Sequence, residues 1–280
     1  MDGDALRGYV ELARPLNAVV AGVLTFVGAF VAGGAFANPL PTGAAVGATV
    51  IATAAGNAIN DYFDREIDTI NAPDRPLPRG AVSPRGVLVY SIALFAIAVG
   101  LALLLPILAI AIAAINLGAL VAYTRVFKGL PGAGNAVVAC LGGSTFLFGA
   151  AAVGNVWAGA VLFVLAALST FAREVIKDVE DVEGDRSEGL ETLPIAIGER
   201  PSLFVGAVVL AVAVIASPIP YVVRIFDLPY LLVVVPADGM MVWGSIRSFE
   251  DPSAGQRYVK YGMYLAAVAF VVGRISVVLG

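Results

Sequence analysis

Residues Gly43 to Asp68 read GAAVGATVIATAAGNAINDYFDREID, an apolar run with no charged residue before Asp61 that passes straight into a cluster of carboxylates. A bilayer core needs about 20 apolar residues per helix, and Gly43 to Phe63 supplies that length. Eight further stretches have the same character. The spans are predicted at Leu16 to Phe36, Gly43 to Phe63, Val87 to Leu105, Ile107 to Tyr123, Gly132 to Val153, Trp157 to Ile176, Leu203 to Val222, Leu228 to Ile246 and Tyr258 to Leu279. Only Pro106 divides the third from the fourth, so an eight-span arrangement stays open at this point. Asn116 and Asp238 fall inside predicted spans and are expected to face the protein interior.

Composition agrees. A chain of 280 residues ordinarily makes about two soluble domains, but this one is 59% hydrophobic and 14% charged, with mean hydropathy +0.90. A water-facing surface is typically about 25–35% charged. The expectation is an all-α polytopic membrane protein forming one domain over residues 1–280. It opens acidic and continues into a first span of full length, unlike a cleaved secretory signal. Histidine is absent, which removes imidazole bases, Ser-His-Asp triads and His-ligated metals. The single cysteine, Cys140, rules out an internal disulfide and Cys-ligated clusters. Any metal must be held by oxygen, which points to a hard ion such as Mg²⁺. A net charge of −4 argues against nucleic acid as a partner, and nothing implies an obligate protein partner. Three lysines against fourteen arginines, with pI 4.9, fit a high-salt cytoplasm, and arginine would equally follow from a GC-rich coding sequence.

Between the spans, 15 of the 17 Lys+Arg lie before the first helix or in the loops after the second, fourth, sixth and eighth, leaving Arg224 and Arg274 for the other side. The positive-inside rule places the amino terminus and those loops in the cytoplasm of a multi-pass cell-membrane protein. The acids are equally uneven. Five carboxylates lie between Asp61 and Asp74 and nine between Glu174 and Glu199, so 14 of 21 occupy two cytoplasmic segments. Like charges packed together repel and raise each other's pKa, so such clustering requires a reason.

Both segments carry D-x-x-D-x-x-x-D: Asp61, Asp64 and Asp68 in the first, Asp178, Asp181 and Asp185 in the second, 117 residues apart. Steps of three and four keep side chains on one helix face, and Asn60 joins the first patch. The repeat suggests two related four-helix units, about residues 10–130 and 131–250, with a ninth helix added. Two acidic patches facing across a bundle suit Mg²⁺, which commonly bridges a few carboxylates to substrate phosphate oxygens. Such a clamp matches ionisation of an allylic diphosphate, where charge grows on the leaving group and the resulting cation needs no strongly activated acceptor.

At these residues the chain resembles the UbiA family of intramembrane prenyltransferases over most of its length. The resemblance runs through Arg14-Pro15-x-Asn17, N-D-x-x-D-x-x-x-D at Asn60 to Asp68, and Asn71-x-Pro73-x-Arg75-Pro76. It continues through Tyr123 and Lys128 to the second acidic motif and Gly184-Asp185. It implies a nine-helix bundle whose central cavity is capped by cytoplasmic loops, with Mg²⁺ as cofactor and a polyprenyl diphosphate as donor. Within the family, the wording of both motifs is most similar to the branch that forms the second ether bond of archaeal membrane lipids. That implies transfer of a geranylgeranyl group from geranylgeranyl diphosphate to the free hydroxyl of geranylgeranylglyceryl phosphate, a lipid acceptor.

Carried over residue by residue, Asn60, Asp64, Asp68, Asp181 and Asp185 are the expected metal and diphosphate ligands, with the four aspartates catalytic. Asp61 and Asp178 share those faces and either join the ligands or orient them. Arg75 and Lys128 are expected to contact diphosphate, and Arg14 and Asn17 to line the same mouth, although a cytoplasmic Arg or Lys is also explained by topology alone. Tyr123 fits an interfacial anchor as well as a site residue. An acceptor phosphate needs further cations, and Arg79, Arg125, Arg173, Lys177 and Arg186 remain in the same layer. Pro73, Pro76 and Pro78 stiffen the first acidic loop, which is expected to cover the cavity. LGGSTFLFGAAAVG, residues 141–154, serves either close helix packing or room for an isoprenoid chain.

Three rival readings remain open to the sequence. An aromatic acceptor such as 4-hydroxybenzoate needs one cation and a flat slot. A cation-coupled transporter expects ionisable residues near the midplane, where only Asp238 and Asn116 fit. A structural subunit leaves the repeated acidic spacing unexplained. The topology is tested by replacing Cys140 and placing single cysteines near Asn38, Lys128 and Glu188 in intact cells. An impermeant thiol reagent should label only the Asn38 site; labelling of the other two with Asn38 silent contradicts it.

Overall fold

Proline stands in the first turn of several long helices, at Pro15, Pro39, Pro84 and Pro229, where a helix has no acceptor for an N–H in any case. The structure, a computed structural model, describes residues 3–279, with the side chains of Ile67, Asn71 and Arg125 outside the description. Motif residue Asn71 and the loop cation Arg125 therefore have no side-chain placement. In chain order the helices are α1 (Gly3–Ala13), α2 (Pro15–Val31), α3 (Pro39–Phe63), α4 (Arg65–Asn71), α5 (Pro84–Ala102) and α6 (Ile107–Ala122). A π-helical turn at Tyr123–Phe127 follows α6. Then come α7 (Ala133–Ala152), α8 (Val156–Glu180), α9 (Val182–Ser187), α10 (Leu193–Ile197), α11 (Glu199–Ala216), α12 (Ile219–Val222), α13 (Leu228–Arg247) and α14 (Pro252–Leu279).

Among the described residues, eight helical segments are long and apolar enough to cross a bilayer; the predicted fourth span, α6, has 16 residues and is shorter than the rest. The chain is a multi-pass membrane protein. Successive long helices pack on their neighbours, and α14 returns to touch both α2 and α8. Short helices α1, α4, α9 and α10 gather at the acidic end. The sequence did not announce α1, whose Leu12 packs with Leu77, Val82 and Val87 under Tyr9, Tyr62 and Tyr90. Asp238 is buried as expected, accepting a hydrogen bond from Ser217 Oγ at 2.5 Å.

Helices α3 and α8 are both 25 residues long, with limits displaced by the same 117 residues as the acidic motifs. Each follows an asparagine, Asn38 or Asn155, with nearly identical backbone angles. Each ends at the middle aspartate of its motif.

The 141–154 segment serves both purposes its sequence offered. One face of α7 packs on α2 so closely that a Cβ on Gly149 would lie 1.9 Å from Thr25 O, and one on Gly28 would lie 2.1 Å from Phe146 O. The other face, through Leu141, Thr145 and Phe148, borders a cavity. Small residues at such crossings let helix backbones make the dispersion contacts that hold membrane bundles together. Gly149→Ala should therefore destabilise the detergent-purified protein by about 1–3 kcal/mol, the usual cost of overpacking. Gly100→Ala, with nothing within 4 Å of its new Cβ, should not. Equal thermal unfolding midpoints for the two variants contradict this packing account.

Candidate active site

Each acidic motif begins on a long helix and bends at its centre. Asp64 (φ −83°, ψ 1°) separates α3 from α4, and Asp181 (φ −95°, ψ 6°) separates α8 from α9. The sequence predicted one continuous helical face; the helices are interrupted instead. Local register survives the bend, because Asp64 N–H donates to Asn60 O and Asp68 N–H to Asp64 O, both at 2.9 Å. Asp181 and Asp185 repeat those bonds to Lys177 and Asp181, again at 2.9 Å. The three-and-four spacing thus still gathers each motif.

The three aspartates of the first motif are each met by a cation from a different part of the chain. Asp61 is buried and accepts from Arg14 Nη2 at 2.6 Å. Asp68 is also buried, and Arg75 Nη1 donates to its two oxygens at 2.7 and 2.6 Å while lying 3.8 Å from Asp61. Asp64 accepts from Lys128 Nζ at 3.2 Å. Burying a carboxylate without a partner is costly, so these pairs tie the amino-terminal segment and the proline-rich loop to the end of α3. Arg14 adopts a left-handed backbone (φ 45°) immediately before Pro15, a strained conformation for a non-glycine residue held here with its guanidinium on Asp61. The proline-rich loop anchors through Leu77 and Val82 on α1 and delivers Arg75 to the motif.

Among the described residues, the second motif is less neutralised. Asp178 accepts from Asn135 Nδ2 at 2.7 Å, Asp181 lies 3.5 Å from Lys177, and burial raises the pKa of Asp185. Lys128 joins the two halves, standing 3.2 Å from Asp64 and 3.8 Å from Glu188 just beyond the second motif. It follows the π turn, where Lys128 N–H donates to Tyr123 O at 2.9 Å. That bond over five residues brings Tyr123 and Lys128 into register, and π turns recur at functional sites.

From this mouth a cavity of about 480 Å³ extends between α3, α5, α6 and α7. Asn60 stands at its acidic end and Asn116 borders it. Its remaining walls are almost wholly apolar. Asn17 lies at the mouth, donating to Asn57 Oδ1 at 3.4 Å, and Asn57 in turn donates to Ala13 O at 3.1 Å. Of the cations left for an acceptor phosphate, Arg79 is engaged by Glu11 at 2.7 Å and Arg173 by Glu174 and Gln256. Asn57, Asn135 and Glu188 were not singled out in the sequence. Asn135 and Asn57 carry no spacing signal, whereas Glu188 lay in plain view among the acids.

Among the described residues, no three acidic side chains converge to hold an ion by themselves. The candidate donors are nonetheless hard carboxylate oxygens, the kind Mg²⁺ takes when it is bound by one or two carboxylates together with phosphate oxygens and water. Asp64 keeps Oδ2 free of its lysine, and Asp181 and Asp185 have no guanidinium partner among the described residues.

The model of the UbiA prenyltransferase family matches residues 21–268. The chain belongs to the UbiA prenyltransferase family. A protein of Natronomonas pharaonis called digeranylgeranylglyceryl phosphate synthase is 65% identical over 276 residues, covering 98% of this chain and 99% of its own length. A solved structure concerning digeranylgeranylglyceryl phosphate synthase superposes with TM-score 0.84 at 34% identity, covering 97% of this chain and 99% of that one. A UbiA homologue from Archaeoglobus fulgidus bound to GPP and Mg²⁺ superposes with TM-score 0.69 at 20% identity, over 95% and 98% of the two chains; that likeness speaks to the UbiA fold.

Proposed function

We propose that this UbiA-family chain transfers a geranylgeranyl group from geranylgeranyl diphosphate to the free hydroxyl of geranylgeranylglyceryl phosphate. The observation that carries the reading is end-to-end identity of 65% with a digeranylgeranylglyceryl phosphate synthase, joined here to a charged mouth above an apolar cavity. In this reading Asn60, Asp64, Asp68, Asp181 and Asp185 hold Mg²⁺ and the donor diphosphate. The acidic end faces the cytoplasm of the cell membrane, a placement supported by the distribution of basic residues. The matched limits of α3 and α8 support one catalytic domain of two related units, about 10–130 and 131–250, with α14 added.

The residues act as follows. Lys128 and Arg75 supply fixed positive charge beside the leaving diphosphate. Both are held by aspartates before substrate arrives, so an incoming diphosphate meets cations that are already oriented. Bound Mg²⁺ would add neutralisation of the charge that develops as the C1–oxygen bond breaks. The apolar walls keep water from the allylic cation, leaving the acceptor hydroxyl to form the ether and release its proton. The lipid acceptor approaches from the bilayer with its phosphate at the acidic end and its chains in lipid.

Asp64→Asn and Asp181→Asn should each lower turnover by about 10²-fold or more while the protein stays folded, since each loses one charge from a crowded, partly exposed patch. Purified protein is offered labelled geranylgeranyl diphosphate with geranylgeranylglyceryl phosphate or 4-hydroxybenzoate under Mg²⁺. Ether-lipid product that collapses in both variants is expected. Prenylated aromatic acid without ether lipid overturns the acceptor assignment, and near-normal turnover in both variants removes these aspartates from the site.

A further inference from the structure

We propose that Thr192 is a positioning residue, its hydroxyl holding one oxygen of Asp185 so that the other faces the metal and diphosphate. The proposal rests on the functional reading above, in which Asp185 is a Mg²⁺ ligand. The displacement of 117 that relates Asp61, Asp64 and Asp68 to Asp178, Asp181 and Asp185 also relates Arg75 to Thr192, each seven residues after the last aspartate of its motif. In the first half that position carries a guanidinium, which meets the two oxygens of Asp68 at 2.7 and 2.6 Å. In the second it carries a neutral hydroxyl. Gly132 likewise stands in left-handed backbone before α7 where Arg14 stands before α2, so both guanidinium positions of the first half are without a cation in the second.

The fold brings Thr192 back to Asp185. Leu190 N–H donates to Asp185 O at 3.0 Å, closing the loop after the motif, and Glu191 N–H donates to Gly129 O at 3.1 Å, pinning that loop to the one that carries Lys128. Thr192 is 7% exposed, and its Oγ1 is sealed from solvent with no hydrogen-bond partner among the described residues. Burial raises the pKa of Asp185, while the nearby Thr192 hydroxyl acts the other way and favours the ionised carboxylate. The hydroxyl thus faces Asp185 without completing a bond to it.

Capping does not account for this hydroxyl. Thr192 precedes α10, where a threonine ordinarily accepts from the second or third N–H of its helix. The second residue is Pro194, which has no N–H, and Ile195 N–H donates to Thr192 O at 3.0 Å, leaving the side chain out of the cap. A buried hydroxyl without a partner costs stability. Its missing partner is Asp185, once that carboxylate turns to its ligand. A hydroxyl fixes one carboxylate oxygen without cancelling the charge, as groups behind metal ligands commonly do, whereas a guanidinium here would neutralise it. Oγ1 is too enclosed to touch substrate, so it acts through Asp185.

The test is Mn²⁺ binding, read by electron paramagnetic resonance on purified protein with a non-hydrolysable geranylgeranyl diphosphate analogue, together with the thermal midpoint of the metal-free protein. Thr192→Val should weaken Mn²⁺ binding by about 10–100-fold while the midpoint stays level or rises, because the lost hydroxyl had no partner. Thr192→Ser keeps the hydroxyl and should bind Mn²⁺ as wild type does. Thr192→Ala, measured alongside, should lose the same affinity and stands in where the valine variant does not fold. A loss below about tenfold in the variants without the hydroxyl, or an equal loss in Thr192→Ser, overturns the positioning role while the prenyltransferase reading stands. Weaker binding joined to a lowered midpoint in Thr192→Val marks a packing role and also overturns it. Wild type that binds no Mn²⁺ beside the analogue overturns the metal site and the functional reading together.

Discussion

Two groups of carboxylates meet at one end of a bundle whose body sits in hydrocarbon, and each group must be neutralised where it stands. That requirement organises the rest of the molecule. It confines the motifs to the ends of α3 and α8, because carboxylates are expensive within the bilayer. It also brings distant segments to those ends: Arg14 from the amino terminus, Arg75 from the proline-rich loop and Lys128 from beyond the π turn, each on one aspartate of the first motif. Among the described residues, the second motif receives an asparagine and one lysine. Among those residues it is the less neutralised motif, which in the proposed function suits it to share a cation with a diphosphate.

In the proposed function the pairs also prepare the site for its ligand. A guanidinium or ammonium held by a carboxylate has already lost its rotamer freedom, so less ordering remains when phosphate oxygens arrive. Lys128 lies between Asp64 and Glu188, placing one fixed charge between halves of the chain that are 117 residues apart in motif register. The apolar cavity below begins at Asn60, so the charged mouth and the apolar walls adjoin along one helix.

Much of this was legible in the residues. Apolar runs of span length located the long helices to within a few positions, since lipid admits no other open-chain solution for the backbone. The repeated acidic spacing located the two carboxylate clusters at the ends of α3 and α8. What escaped the sequence depends on tertiary contact. The helix α1 is short and mixed in composition and is held by Leu77 and Val82 from a loop about 65–70 residues away. The bends at Asp64 and Asp181 follow no proline or glycine. The π turn after Ala122 leaves no mark in a pattern read for helical period. Asn135 reached Asp178 only through the packing of α7 on α8.

The central claim is that both acidic motifs grip one ligand. The most direct measurement is Mg²⁺-dependent binding of a non-hydrolysable geranylgeranyl diphosphate analogue to wild type, Asp64→Asn, Asp181→Asn and the double variant. If one diphosphate bridges both motifs, each single change should weaken binding at least about tenfold and the double variant should bind little worse than either, a coupling of about 1.4 kcal/mol or more. Losses that simply multiply in the double variant would show the motifs acting on separate ligands and contradict the account.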